Sequence, residues 1–277
     1  MARSVTWRIG DRLVTVPLPA VMGVLNATPD SFHAASRRTG DEAVRLAEHM
    51  LEEGAAILDI GGASSRPGAA PVDPEEERRR VIPQIEAVHR RFPEALISVD
   101  TTWASVAREA VAAGAGLVND ISAGLTDPDM LAAVAALKVP YVAMHMQGAP
   151  PDMQSAPNYA DVVREVTYFL SERLRAAHEA GIADVVLDPG FGFGKTTAHN
   201  FVLLRELERI TLLGAPVLVG LSRKRMINET LGTTAAEALN GTTVLNTLAL
   251  RHGAALLRAH DVREAVQAVR LIAACGY

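Results

Sequence analysis

Eight short apolar runs recur along the chain, and stretches with helical spacing lie between them. The runs are VMGVLN (21–26), AILDIGG (56–62), LISVDT (96–101), LVNDIS (117–122), YVAMHM (141–146), VVLDPG (185–190), VLVGLS (217–222) and LLRAHD (256–261). Each has the length of a strand and none alternates strictly between apolar and polar residues. Both faces of each are therefore expected to be buried, as in a parallel sheet. Between them, DEAVRLAEHMLEE (41–53) places Ala43, Leu46, Ala47, Met50 and Leu51 on one helical face. The segment 73–92 opens with Asp73 as an N-cap, Pro74 at the first helical position and three acids on the positive end of the helix dipole. Gly54, Gly114, Gly181 and Gly253 each stand between a helical pattern and the next strand, where a left-handed residue stops a helix.

A strand–helix unit repeated eight times with right-handed crossovers closes most naturally into a (β/α)8 TIM barrel. The competing doubly wound sheet usually has fewer strands and a glycine-rich first turn, which NATPDSF (26–32) lacks. Residues 5–16 have the pattern of an N-terminal β-hairpin with Gly10-Asp11 at the turn, suited to plugging the bottom of the barrel. No linker composition divides the chain, so residues 1–277 are expected to form a single domain.

Composition narrows the function classes. Hydrophobic residues make up 49% and charged residues 21%, as in a globular protein, and the formal net charge of −5 argues against non-specific nucleic-acid binding. The N-terminal sixteen residues lack a signal-peptide core, and no run of about 18 apolar residues marks a membrane span. The single cysteine, Cys275, is expected to pack as a small buried hydrophobe, and its solitude suits a reducing, cytoplasmic compartment.

The residues that close each run carry the chemistry. Asn26, Asp59, Asp100 with Thr101, Asn119 with Asp120, His145 with Gln147, Asp188, Ser222 to Lys224, and Arg258 with His260 all fall at or just past a strand end. In a barrel these ends converge on one face, the face that carries barrel active sites. Asp100 and Asp188 suit a neutral heterocycle bearing ring N–H and amino groups, each hydrogen bond to a carboxylate being worth roughly 1.5–3 kcal/mol. Arg66, Lys224, Arg258 and His260, cationic or nearly so, suit phosphate or pyrophosphate. A zinc centre is not expected, because the chain has no His-x-His on its first strand and no His-Glu-x-x-His.

The stretch DPGFGFGKT (188–196) resembles a phosphate-binding loop but has the wrong spacing. Five residues before Gly194 stands Pro189, which has no N–H to donate, and counting from Gly190 leaves the loop one residue short. Lys195-Thr196 is expected to begin the following helix instead.

Taken in order, MGVLNATPDSF, DIGGASSRPGA, SVDT, NDIS, MHMQG, DPGFGFGKT, GLSRK and RAHDV resemble the strand-end motifs of the dihydropteroate synthases over essentially the whole chain. The resemblance implies attack of the p-aminobenzoate amine on the methylene carbon of a 7,8-dihydropterin pyrophosphate, with Mg²⁺ as cofactor. It implies that Asp188 binds the guanidine-like edge of the pterin, with Asp100, Asn119, Gly220 and Lys224 completing the ring site and Met144 and Phe193 packing on it. It assigns pyrophosphate to Asn26, Arg66, Arg258 and His260, with Asn26 also touching the metal. It assigns p-aminobenzoate to Phe32, Ser65, Pro67 and Lys224. Asp100, Lys224, Arg258 and His260 are the implied catalytic residues. Homodimers are usual in the family; no nucleic acid or membrane partner is implied.

The chain departs from the family pattern in its loops. His33-Ala34-Ala35-Ser36 replaces a Ser-Asp-Gly-Gly type segment, Ser65 stands where Thr is commoner, Ala63 where Glu is frequent, and Arg225 where Ser is frequent. These changes predict retained activity with altered loop closure or aryl-amine affinity. A pterin-dependent methyltransferase of the same barrel type would share the pterin floor but has no need of a pyrophosphate clamp.

Overall fold

The computed structural model describes residues 3–26, 41–63, 72–148, 153 and 157–276. An antiparallel hairpin comes first, β1 (Arg3–Ile9) and β2 (Arg12–Leu18), paired so that Ile9 faces Arg12 across the two-residue turn Gly10-Asp11. Gly10 takes φ +61°, the left-handed geometry such a turn requires. Eight further strands follow the eight apolar runs: β3 (Ala20–Asn26), β4 (Ile57–Gly61), β5 (Leu96–Asp100), β6 (Leu117–Asp120), β7 (Tyr141–Met144), β8 (Val185–Asp188), β9 (Leu218–Val219) and β10 (Leu256–Ala259). They pair in parallel in the order β8-β7-β6-β5-β4-β3-β10-β9. A parallel bridge between Leu187 and Val217 joins the two ends of this sheet, and Leu187 N donates to Pro216 O at 2.9 Å, so the barrel closes.

The helices are α1 (Asp41–Glu52), α2 (Pro74–Arg91), α3 (Ala104–Ala112), α4 (Met130–Leu137), α5 (Val162–Glu179), α6 (Thr197–Arg205), α7 (Glu208–Thr211), α8 (Arg225–Leu231), α9 (Leu239–Arg251) and α10 (Val262–Ala274). Their ends follow the sequence signals. Asp73 caps α2 by accepting from Glu76 N at 2.9 Å, and Gly54, Gly114, Gly181 and Gly253 all take positive φ where their helices stop. No helix among the described residues is long and apolar enough to cross a membrane. Cys275 is exposed, contrary to the sequence expectation. Helix α10 ends at Ala274, and Cys275 occupies the C-cap, beyond Ile272, the last residue of the helix to be buried.

Strand alternation divides the core into two parts. One set of side chains, including Leu58, Ile60, Ile97, Val99, Val118 and Tyr141, packs outward against the helices. The other set fills the barrel: Met22, Ile57, Leu96, Leu117, Val142, Val186, Leu218 and Leu256, one from each strand, form a single cluster with Trp7 and Val16 of the hairpin. Trp7 is 1% exposed, so the hairpin closes the N-terminal mouth as a hydrophobic plug. Trp7→Ala is expected to cost about 3–5 kcal/mol in urea denaturation. Activity per folded molecule should be retained, and a loss below about 1 kcal/mol would show that the plug is not part of the core.

Candidate active site

Side chains on one face of a strand recur every second residue, so the next inward layer can be read directly from the apolar one. Two residues beyond Ile57, Leu117, Val186 and Leu256 stand Asp59, Asn119, Asp188 and Arg258. The barrel interior thus changes from an apolar floor to a charged ring in one step. Beyond Leu218 the corresponding residue is Gly220, where an added Cβ would lie 3.9 Å from Arg258 Cβ. Beyond Leu96 come Ser98 and then Asp100; Gly61 on the neighbouring strand leaves room for Asp100, whose Cβ is 3.2 Å from where a Cβ on Gly61 would sit.

Arg258 is the hub of this ring. Its Nε donates to Asp59 Oδ2 at 2.6 Å and its Nη2 to Asp100 Oδ2 at 2.8 Å, while Asn119 Nδ2 donates to the same Asp59 oxygen at 3.1 Å. Burial lifts the Asp100 pKa to about 7; Arg258 opposes the rise, and Asp59, Glu77 and Asp120 add to it. Burial likewise lifts Asp188 to about 6, against the Gly190 N–H that donates to its Oδ1 at 2.7 Å and the cations Lys224, Arg258 and Lys195. Lys224 falls to about 8 through burial and its neighbour Arg258. Its Nζ lies 4.3 Å from the centroid of the Phe193 ring, a cation–π contact.

One wall is apolar. Met144 and Phe193, both singled out in the sequence, meet here, and Met153 with the partly buried Ile121 and Met146 completes the cluster. Those last three were missed. The only signal, for the two methionines, was the density of that residue after β7, whose flexible side chain suits an adaptable apolar wall.

The stretch DPGFGFGKT (188–196) does different work from a phosphate-binding loop. Gly190, Gly192 and Gly194 take φ of +67°, +82° and +61°. A Cβ on Gly190 would stand 1.9 Å from His145 O, and one on Gly194 2.2 Å from Gln147 O. Only glycine lets this loop press against the backbone that follows β7. Thr196 caps α6 by accepting from His199 N at 3.1 Å, as expected of a helix start, but Lys195 is 2% exposed and turned into the protein.

The strand-end residues do not all converge. Asp120 faces away from the barrel axis and accepts from Ser122 N and Oγ, Gly124 N and Tyr141 Oη, all at 2.7 Å. Thr101 Oγ1 accepts from Trp103 N, and Gln147 is hydrogen-bonded to the backbone of Asn158. Alternation explains the split, because neighbours in sequence point to opposite faces. Asn26 ends β3 in register with Gly61, itself in register with Asp100. Phe32, Ser65, Arg66 and Pro67, with the divergent segment His33–Ser36, lie outside the described residues.

His260 is not a cation in this arrangement. Burial of the imidazole and then the charge of Arg258 push its pKa down to about 4, although the residue as a whole is exposed. The ring is neutral near pH 7, with Nδ1 3.0 Å from Ser222 Oγ. Arg223 links the same two loops through both oxygens of Asp261, at 2.6 and 3.0 Å. Arg225, which stands where the family often has Ser, pairs with Glu229 at 2.5 Å, so its added charge is balanced within α8. Glu229 also accepts from Thr197 Oγ1.

Among the described residues no group of three or more His, Cys, Asp or Glu could hold a metal ion. Asn26 offers a single amide oxygen, a donor that fits a magnesium ion arriving with a phosphate and keeping most of its water.

Behind Asp100, Glu77 is buried and one of its oxygens, Oε1, has no partner. Burial raises its pKa to about 7, offset in part by Thr101 and Arg80 and increased by Asp120. The folded state then holds the proton more tightly than the unfolded one, so this group's contribution to stability is lost as pH rises from about 4.5 towards 7. Glu77→Gln is expected to stabilise the fold by about 1–3 kcal/mol at pH 8 and by little at pH 4. Urea denaturation at both pH values checks this, and an equal effect at both would contradict it.

Comparison with known proteins fits this ring. Residues 22–260 match the family model described as pterin binding enzyme. The dihydropteroate synthase of Escherichia coli strain K12 is 46% identical over 259 residues, covering 92% of this chain and 91% of that one. The chain belongs to the dihydropteroate synthase family. A solved dihydropteroate synthase from Xanthomonas albilineans with 4-aminobenzoic acid superposes with a TM-score of 0.91 at 47% identity, covering 99% of both chains. Another from that organism, in complex with 7,8-dihydropteroate, gives a TM-score of 0.87 at 45% identity over 98% of this chain and 99% of that one. The match to the synthases extends past the family model, so the Trp7 hairpin is part of the shared architecture.

Proposed function

We propose that this chain condenses 6-hydroxymethyl-7,8-dihydropterin pyrophosphate with p-aminobenzoate to give 7,8-dihydropteroate and pyrophosphate. The observation that carries this reading is the juxtaposition of buried Asp188 and Asn119 and half-buried Asp100 and Lys224 with the Met144–Phe193 wall at the C-terminal mouth of the barrel. A flat heterocycle with several N–H groups meets carboxylate acceptors there and an apolar surface on one face. Asp188 is the acceptor for the amino-bearing edge, with Asn119 and Lys224 at the ring's other polar atoms and Gly220 providing clearance.

The chemistry breaks the methylene C–O bond, forms the N–C bond and releases one proton from the amine. An arylamine attacks readily once the carbon is electrophilic, so the demand falls on the departing pyrophosphate. We infer that Arg258 and Lys224 face the developing charge, with His260 as a neutral hydrogen-bonding group, and that Arg66 also binds the pyrophosphate. Fixed charges of this kind supply the largest catalytic term in many enzymes. Asp100, held beside Arg258, faces a pterin cation if C–O cleavage runs ahead of N–C formation. Magnesium, when bound with the pyrophosphate through Asn26, would neutralise charge on the leaving group.

Phe32, Ser65 and Pro67, with Lys224, are the proposed p-aminobenzoate contacts. A homodimer is the proposed assembly, supported by exposed Val244 and Leu248 on α9 and Leu271 on α10; sedimentation at micromolar concentration tests it. The activity is tested by pyrophosphate release. Release requiring both substrates and Mg²⁺ is expected, whereas release without p-aminobenzoate would indicate a hydrolase.

A further inference from the structure

The reading above leaves Lys195 without a task, yet few side chains in the protein are placed so specifically. Its Nζ donates to Gly190 O at 2.9 Å and Phe193 O at 3.1 Å, and lies 2.9 Å from His145 Nδ1. Three hydrogens meet these three close acceptors, and His145 O is a fourth, longer contact at 3.5 Å. No carboxylate among the described residues lies within ion-pair distance of it. A buried ammonium without a direct counter-ion is costly, and an apolar side chain would fill the space without that cost.

The acceptors show what the ammonium achieves. Gly190 and Phe193 turn their carbonyls inward because the loop carries left-handed glycines at 190, 192 and 194. The residue whose carbonyl Lys195 holds, Gly190, donates its own N–H to Asp188 Oδ1. From the other side Tyr159 Oη donates to Gly194 O at 2.8 Å and Asn200 Oδ1 accepts from Gly192 N at 2.9 Å. Lys195 is thus the link between this loop and the end of β7.

We propose that Lys195 is a positioning residue for pterin binding, its ammonium clamping the loop after β8 onto His145 and, through Gly190, fixing Asp188 against the ring. The proposal rests on the pterin reading of the site. The charged groups around Asp188 are Lys195, Lys224 and Arg258; those around Lys195 are Asp188, Lys224 and His145. Asp100 acts on Lys224, and His199 packs on Tyr159 outside the loop. His145 is neutral, held down to about 3 by burial and by Lys195, so it accepts rather than competes. Burial lowers Lys195 to about 7, so it is mostly charged at pH 6 and below, where Asp188, near 6, takes up its proton, and about half charged at pH 7. In that range the ammonium also favours the ionised form of Asp188.

The test measures calorimetric affinity for the dihydropterin pyrophosphate from pH 5 to 8 in wild type, Lys195→Met, Asp188→Asn and the double variant. Lys195→Met is expected to bind about tenfold more weakly at pH 6, with the acidic limb moved up by about one pH unit and KM for p-aminobenzoate within about twofold of wild type. The double variant should bind no more than about twofold more weakly than Asp188→Asn alone, because Lys195 acts through Asp188. Lys195→Gln, which keeps a donor without the charge, should show the same shifted limb if Lys195→Met fails to fold. An unmoved limb in a folded variant, or losses that add in the double variant, would overturn the proposal. Absence of pterin binding by the wild-type protein would instead overturn the functional reading.

Discussion

Arg258→Met is expected to cost about 3–5 kcal/mol of stability and to lower turnover by at least about a hundredfold. The stability loss arises because Asp59, fully buried, and Asp100 both rely on this guanidinium, at 2.6 and 2.8 Å. Without it two carboxylates share the barrel interior with no cation between them. Asp100 already sits near pKa 7 with Arg258 present, and losing the cation lifts it further. A raised acid favours the folded state only while protonated, so the deficit should grow from pH 5 to pH 8. The turnover loss has a separate origin, since Arg258 also faces the proposed pyrophosphate. Urea denaturation at the two pH values and steady-state kinetics check both parts. A variant as stable as wild type at pH 8 would show that the Asp59–Arg258–Asp100 cluster does not carry the barrel centre.

Gly190→Ala is expected to raise KM for the dihydropterin pyrophosphate at least about tenfold while the barrel stays folded. Two effects add. At φ +67° a side chain costs about 1–2 kcal/mol, and the new Cβ would stand 1.9 Å from the carbonyl oxygen of His145, a backbone atom that cannot swing aside. The loop must therefore lift, taking with it the Gly190 N–H that orients Asp188. Gly214 is the control, with φ +85° and nothing within 4 Å of a built Cβ. Gly214→Ala should show the strain alone, with unchanged KM. Equal effects from the two substitutions would mean that close approach at Gly190 does not govern the pterin site.

The barrel was legible because its signals are local. Glycine stops, the Asp73 cap and double-sided apolar runs each act within a few residues, and all of them agree. The polar ring was legible for a related reason, since strand ends of a barrel must converge. What sequence could not supply was direction at each end. Asp120 follows Asn119 by one residue, and only pairing register sends Asn119 inward and Asp120 out to Tyr141. Pairing within the ring was also hidden. Arg258 and Asp59 are 199 residues apart, and their contact depends on β10 and β4 both flanking β3. His260 looked cationic because sequence shows its type and not the burial, nor the positive neighbours Arg258, Arg223 and Lys224, that hold it neutral. Lys195 looked like the start of a helix, and its ammonium instead turns inward onto Gly190, Phe193 and His145.

The most direct measurement is the affinity of the wild-type protein and of Asp188→Asn for the dihydropterin pyrophosphate, at pH 8, alongside thermal unfolding of both. Two hydrogen bonds to a carboxylate at roughly 1.5–3 kcal/mol each predict a loss of at least about a hundredfold. Unfolding should come no earlier, because burial already disfavours the charge on Asp188. Unchanged affinity in the folded variant would contradict the assignment of the pterin floor and with it the proposed reaction.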